Sequence, residues 1–187
     1  MRVATTAMAA AIIWAATMTV AGTIPLQNPG FEKQTENGDL IGWKWNKKPG
    51  HIQVVKEDGN HILAVKAGKP SHRAIQPITV PDGCKFIGVT CKMKANGIKP
   101  GKNNYENVGL RIQCRDPKGK VRMPPSVEVC DDTDGWITVR QMCRVPDGAK
   151  DFALVTHNAA KQGVVYFDDI ELFADPPRLD SRYPRPW

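Results

Sequence analysis

What this chain lacks narrows it quickly. It has no Gly-x-Ser-x-Gly elbow, no His-Glu-x-x-His, no glycine-rich phosphate loop and no evenly spaced Glu/Asp strand motif. The usual signatures of esterases, zinc proteases and nucleotide hydrolases are therefore missing, and no catalytic residues are expected. Its five cysteines contain no Cys-x-x-Cys pair, the nearest two, Cys84 and Cys91, being seven residues apart. A zinc or iron–sulfur centre needs closer pairs. The four histidines, His51, His61, His72 and His157, are scattered. Hardly any stretch repeats apolar residues at helical spacing, which excludes a helical core.

What is present begins with a leader-like segment. "MRVATTAMAAAIIWAATMTVAGT" carries one early Arg2, an uncharged apolar stretch and small residues near Ala21, the pattern of a secretory signal peptide over 1–22. A membrane anchor is the rival reading, and no later segment is long and apolar enough to span a bilayer. A secreted or periplasmic location is expected, and five cysteines in an exported chain predict a disulfide with at least one thiol left over, two of the inward-facing Cys91, Cys114 and Cys143 being the candidates, with buried free thiols packed as small apolar side chains as the alternative. Residues 23–175 then make one domain, and 176–187, "PPRLDSRYPRPW" with its Pro176, reads as an extended Pro/Arg-rich tail.

Apolar residues alternate with period two through 51–55, 61–67, 73–80, 86–95, 106–115, 136–145, 152–157 and 163–173. Turn signals separate these runs, among them Asp58-Gly59-Asn60, Pro81-Asp82-Gly83 and Pro146-Asp147-Gly148. About eight short strands closed by such turns predict an all-β fold, an antiparallel β-sandwich. The stretch 116–135 is the longest irregular segment.

The two ends of the domain belong together. "NPGFEKQTENGDLIGWKWN" (28–46), "GWITVRQMCRVPDGAK" (135–150) and "VVYFDDIEL" (164–172), in this order, resemble the jelly-roll, galactose-binding-like carbohydrate-binding modules attached to xylanases and glucanases. The resemblance covers roughly residues 25–173 and implies the jelly-roll form of the sandwich. It also implies a structural calcium joining first and last strands, held by Glu32 and Asp168, with Asp169 the less favoured ligand. Strand alternation groups Tyr166, Asp168, Ile170 and Leu172 on one side, so Asp168 faces apolar neighbours. Hydrogen bonding, or a Lys or Arg partner, is the alternative to the cation.

The resemblance further implies glycan bound on a concave sheet against aromatic rings. Trp43 and Trp136 read as core residues, which leaves Tyr105 as the best isolated ring for stacking. Followed by alternation, the outward positions of three strands are rich in cations: Lys92, Lys94, Arg111, Gln113, Arg115, Arg140 and Arg144. If these strands adjoin, they form one basic face suited to carboxylate or sulfate groups. With 26 Lys and Arg against 19 Asp and Glu and a net charge of +7, an anionic polysaccharide is the expected partner. A solvated, charge-balanced face is the alternative. Nucleic acid is not expected, because aromatic residues do not interleave with the basic ones. The functional reading is a monomeric, non-catalytic carbohydrate-binding module; the alternative is a structural or protein-binding module of the same fold.

Overall fold

The computed structural model describes residues 22–45, 50–68, 71–103, 106–123 and 127–176. Most of the expected leader and the expected tail beyond Pro176 lie outside them, as does Tyr105. The described residues form twelve strands and no helix. In chain order these are β1 (Gly22–Ile24), β2 (Lys44–Trp45), β3 (Ile52–Glu57), β4 (Asn60–Lys66), β5 (His72–Pro77), β6 (Phe86–Lys99), β7 (Val108–Arg115), β8 (Val121–Arg122), β9 (Glu128–Val129), β10 (Ile137–Arg144), β11 (Lys150–Asn158) and β12 (Gln162–Ala174).

Two antiparallel sheets result. The first runs β10-β6-β12-β4-β3, with β1 also on β12; the second runs β2-β5-β11-β7-β8, with β9 also on β7. The eight expected strands are all present, and the irregular stretch after Arg115 contributes β8 and β9, both paired to β7.

Local chemistry explains the elements. Val, Ile and Thr dominate the strands because branched side chains pack well on a pleated surface. The β3–β4 hairpin turns on Asp58 and Gly59, with φ of 50° and 88° between the paired Glu57 and Asn60. Positive φ at both central residues defines the turn whose twist suits a two-residue hairpin, and Asp-Gly adopts it readily.

Inward residues from both sheets form one core. Leu63, Val65, Val89, Met93, Leu110, Ile112, Leu154, Phe167, Ile170 and Leu172 are all buried within it, and each such side chain contributes roughly 1.5–3 kcal/mol. Trp43 is buried as expected, stacked at 5.2 Å on Phe31, with its indole N–H donated to the Asn28 carbonyl at 3.2 Å.

One expectation about facing is corrected. Phe167, rather than Asp168, shares the core side with Ile170 and Leu172. The register against β6 slips between Asp168 and Glu171, which oppose Lys92 and Thr90. Three steps along β12 therefore match two along β6, a β-bulge that reverses the alternation. Asp169 takes φ of 45° inside it. Asp168 lies opposite Lys92, on the outer side of the sheet, and is nonetheless buried.

Of the two expectations for the cysteines, the disulfide gives way to buried free thiols. All five thiols are free, and four are buried. Cys91 opposes Val139 and Cys143 opposes Ile87 across β6 and β10, so strand register does not set the two side by side. Burial pushes the Cys91 thiol up to about 12 and Cys143 to about 11. They act as small core side chains rather than nucleophiles.

Candidate functional site

The residues expected to form one basic face divide between two. Lys92 and Lys94 on β6, with Arg140 and Arg144 on β10, stand on the first sheet; Arg111, Gln113 and Arg115 on β7 stand on the second. The strands do not adjoin, so the single face expected from sequence does not exist. Each half has its own surroundings.

On the first sheet the cations meet carboxylates. Lys92 pairs with Asp169 at 2.7 Å and Lys94 pairs with Glu57. Arg140 and Arg144 have no ion-pair partner among the described residues, and Glu171 lies near the former through Thr90. Lys94 also sits over two rings, 5.0 Å from the centroid of Trp136 and 4.9 Å from that of Tyr166. Trp136, expected in the core, is half-buried on this outer side and donates its indole N–H to Glu57 Oε2 at 3.1 Å.

The second face is built across four strands. Lys44 opposes Ile75, Ile75 opposes Val155, and Val155 opposes Arg111. One register step away, Arg73 opposes His157, which opposes Gly109. Opposed residues point to the same side. Val155 and His157, at the centre, are almost inaccessible.

A polar network anchors the β7 side. Arg111 Nη2 donates to Asn107 Oδ1 at 2.9 Å and to Glu128 Oε1 at 2.8 Å, and Asn107 Nδ2 donates to Glu128 Oε2 at 2.5 Å. Glu128 arrives on β9, which runs close to β7 because residue 109 is glycine: a Cβ there would meet the Val127 carbonyl oxygen at 2.0 Å. His157 Nε2 faces Asn107 Oδ1 at 3.3 Å. Burial, reinforced by the Arg111 and Arg73 guanidinium charges, drives the His157 pKa down to about 3. The neutral imidazole thus lies in a positive field.

On the β2 side, Lys44, Trp45, Arg73 and Ile75 line a hollow of about 340 Å³. No ion pair reaches Lys44 or Arg73 among the described residues. Trp45 opposes the buried Ala74 and packs against the core, so the outer side of the hollow offers two unpaired cations beside Ile75, an arrangement suited to an acidic group. Sequence reasoning missed Lys44 and Arg73. The alternation of 73–77 already turned Arg73 and Ile75 outward, but nothing local said that β5 lies beside β2.

The expected calcium ligands are brought near one another without forming a closed set. Asp168 Oδ2 accepts from Asn60 Nδ2 at 2.7 Å, and Asp168 Oδ1 accepts from the Asp169 amide at 2.8 Å. Gly30 packs over both carboxylates, its Cβ position lying 3.6 Å from Asp168 Oδ1 and 3.7 Å from Asp169 Oδ1. Burial raises the Asp168 pKa against those hydrogen bonds. Glu32 turns elsewhere: its Oε2 lies 2.6 Å from His61 Nδ1, and its Oε1 accepts the His61 amide at 3.1 Å. No metal-holding group of three or more His, Cys, Asp or Glu side chains occurs among the described residues.

No family model matches the sequence, and no curated protein does. Solved structures do. A family 16 carbohydrate-binding module, module 2, is 17% identical with a TM-score of 0.54, covering 78% of this chain and 99% of that one. The CBM22-1 xylan-binding domain of Xyn10C from Paenibacillus barcinonensis is 15% identical with a TM-score of 0.53, covering 79% and 93%. The chain has the jelly-roll fold of carbohydrate-binding modules. The C-terminal family 22 module of Xyn10B from Clostridium thermocellum, at 14% identity and a TM-score of 0.50, extends the likeness over 80% of this chain and 96% of that one. No helix among the described residues is long and apolar enough to cross a membrane.

Proposed function

We propose that this protein is an exported, monomeric, non-catalytic module that binds an acidic polysaccharide on the outer face of its second sheet. The observation that carries the reading is the hollow at Lys44, Trp45, Arg73 and Ile75, where two cations without ion-pair partners among the described residues stand beside the apolar Ile75 on the outer face. In this reading Arg73 takes a uronate carboxylate through paired N–H donors. Lys44 adds a point charge. Arg111, committed to Glu128, contributes field rather than a direct contact. The likeness in fold to a xylan-binding domain supports the polysaccharide half of the reading, and the charges support the acidic half.

Calorimetry with oligogalacturonate at low and high salt tests it. Binding that weakens steeply with salt and falls about tenfold in Arg73→Ala is the expected result. Absence of binding to uronic and sulfated glycans alike overturns it.

The reading includes a structural calcium beneath the N-terminal segment. The support is donor chemistry: Asp168 and Asp169 present hard oxygens beside Gly30, and a dication would offset the charge that burial disfavours on Asp168. Glu32 is the third ligand only if it leaves His61. Bound calcium would tie residues 28–32 to β12. Metal analysis and melting with EDTA decide the matter: an ion-free protein whose midpoint ignores EDTA removes calcium from the account.

A further inference from the structure

The first sheet ends in β10, and this edge is open. Strand β10 pairs with β6 from Ile137 to Arg144 and has no second neighbour in the sheet. No backbone hydrogen bond from another segment reaches its far side among the described residues. Eight residues with neither proline nor bulge therefore present a row of amide and carbonyl groups, the template on which a further strand adds. The core is also uncovered beside it. Val89, Cys91 and Met93 on β6 are buried, whereas Gln141, Val139 and Ile137, which oppose them on β10 and point to the same side, are only half-buried.

The gap continues past the end of the strand. A hollow of about 540 Å³ is lined by Asp116, Arg122 and Met123 from the side of the second sheet, and by Arg144, Pro146 and Asp147 from the end of β10 and the turn after it. It spans the two sheets where neither closes over the other, with Met123 48% exposed at the seam. The charges here are unevenly committed. Arg122 is held by Asp116 at 2.9 Å. Arg140 and Arg144 point outward and are exposed, and they join no ion pair among the described residues. Asp131, Asp132 and Asp134 precede the strand and Asp147 follows it, so the positive stretch is the half from Arg140 to Arg144.

We propose that β10 is a docking edge for an acidic, extended segment of a protein partner, which adds to the first sheet as a further strand. Main-chain pairing supplies the attachment, and the side chains supply the choice of partner. Carboxylates four residues apart lie on one side of such a strand and reach Arg140 and Arg144, which bind them through paired N–H donors. Apolar residues between them turn inward and cover Ile137 and Val139. Charge selects this occupant over two others. A second copy paired antiparallel along β10 would set two rows of arginines opposite or diagonal to one another, which is destabilising. The chain's own residues 177–187 carry Arg178, Arg182 and Arg185 against Asp180, the wrong sign for this edge.

Fluorescence anisotropy of the full chain with a labelled Glu-Val-Glu-Val-Glu-Val-Glu peptide tests the proposal, with Lys-Val-Lys-Val-Lys-Val-Lys as the charge control. Two further acidic peptides are N-methylated at odd or at even positions, so that each loses the amides of one side. Binding is expected to weaken with salt, to fall about tenfold when Arg140→Gln and Arg144→Gln are combined, and to persist in Arg73→Ala. Of the two N-methylated peptides, one binds and the other does not. Alternate β10 amides exchange fast in the free protein and slowly once peptide is added. No binding of the acidic peptide, equal binding of the lysine peptide, loss in Arg73→Ala, or equal binding of both N-methylated peptides overturns the proposal. So does a free protein in which every β10 amide is already protected, the result if a second copy or residues 177–187 cover the edge. Oligogalacturonate binding is read separately through Arg73, so failure here and failure of the acidic-glycan reading are distinct outcomes.

Discussion

The two outer faces of the sandwich carry similar numbers of cations and use them differently. On the first sheet, Lys92 stands opposite Asp168 and pairs with Asp169, while Lys94 reaches Glu57. On the second, Arg73 stands opposite a neutral histidine and Lys44 opposite Ile75. Charge balance in a sheet is thus decided by cross-strand register and not by composition. A chain with a modest excess of positive charge becomes two surfaces that each hold paired and unpaired cations among the described residues: Lys92 and Lys94 are paired on the first while Arg140 and Arg144 are not, and Arg111 is paired on the second while Lys44 and Arg73 are not.

Glycine positions test the contrast most severely. Gly109→Ala forces a Cβ against the Val127 carbonyl, a backbone atom at 2.0 Å, whereas Gly88→Ala on the first sheet meets the Pro176 ring at 2.8 Å. A backbone segment paired on β7 does not move aside without loss of its hydrogen bonds; the Pro176 ring, a side chain outside the strand ladders, has no such bonds to lose. Gly109→Ala is expected to cost about 3 kcal/mol in urea unfolding, displacing β9 and Glu128, and Gly88→Ala about 1 kcal/mol or less. Equal costs would mean that β9 is not the fixed wall of the second face.

Acid should loosen the second face before the first. His157 has a pKa of about 3 in the folded protein against an ordinary 6.5. The unfolded chain therefore takes up a proton across that interval while the folded chain does not. The stability this confers is complete above pH 6.5 and is lost as pH falls toward 3, at up to about 1.4 kcal/mol per pH unit. Arg111, Arg73 and Asn107 surround the ring, and none offers a carboxylate to stabilise its charged form. His157→Gln, which keeps a polar contact to Asn107, is expected to flatten this part of the pH–stability curve; an unchanged slope would assign it to other groups.

Much of this was legible in the chain. The alternation of residues 86–95, 106–115 and 136–145 identified which side chains enter the core, and the turn residues identified the strand breaks. Three features were not legible, each for a physical reason. Whether β7 joins β6 or β11 depends on pairing between segments forty or so residues apart, which no local pattern encodes; that choice divided the expected basic face. The bulge at Asp168–Asp169 shows in sequence only as two acidic residues, and its effect is to exchange Asp168 for Phe167 on the core side. Trp136 begins a core strand, yet the parity that buries Ile137 turns Trp136 outward onto Lys94.

The ion pairs of the first sheet offer the finest test of the comparison. Lys92–Asp169 is more than half exposed on both sides, with side-chain exposures of 51% and 56%, whereas Lys94–Glu57 has 14% and 38%. Water and salt screen the first pair, and holding two mobile side chains together costs entropy that the attraction barely offsets. Lys94 loses less, because the Trp136 and Tyr166 rings already confine it and add their own attraction for the cation. A double-mutant cycle of Lys94→Met with Glu57→Gln is expected to give a coupling of about 1 kcal/mol that persists in salt. The matching cycle of Lys92→Met with Asp169→Asn should show only a small coupling at low salt and none at high salt. Were both couplings to vanish together, Lys94 would be an ordinary surface cation, and its place over the Trp136 and Tyr166 rings would add nothing to the pair.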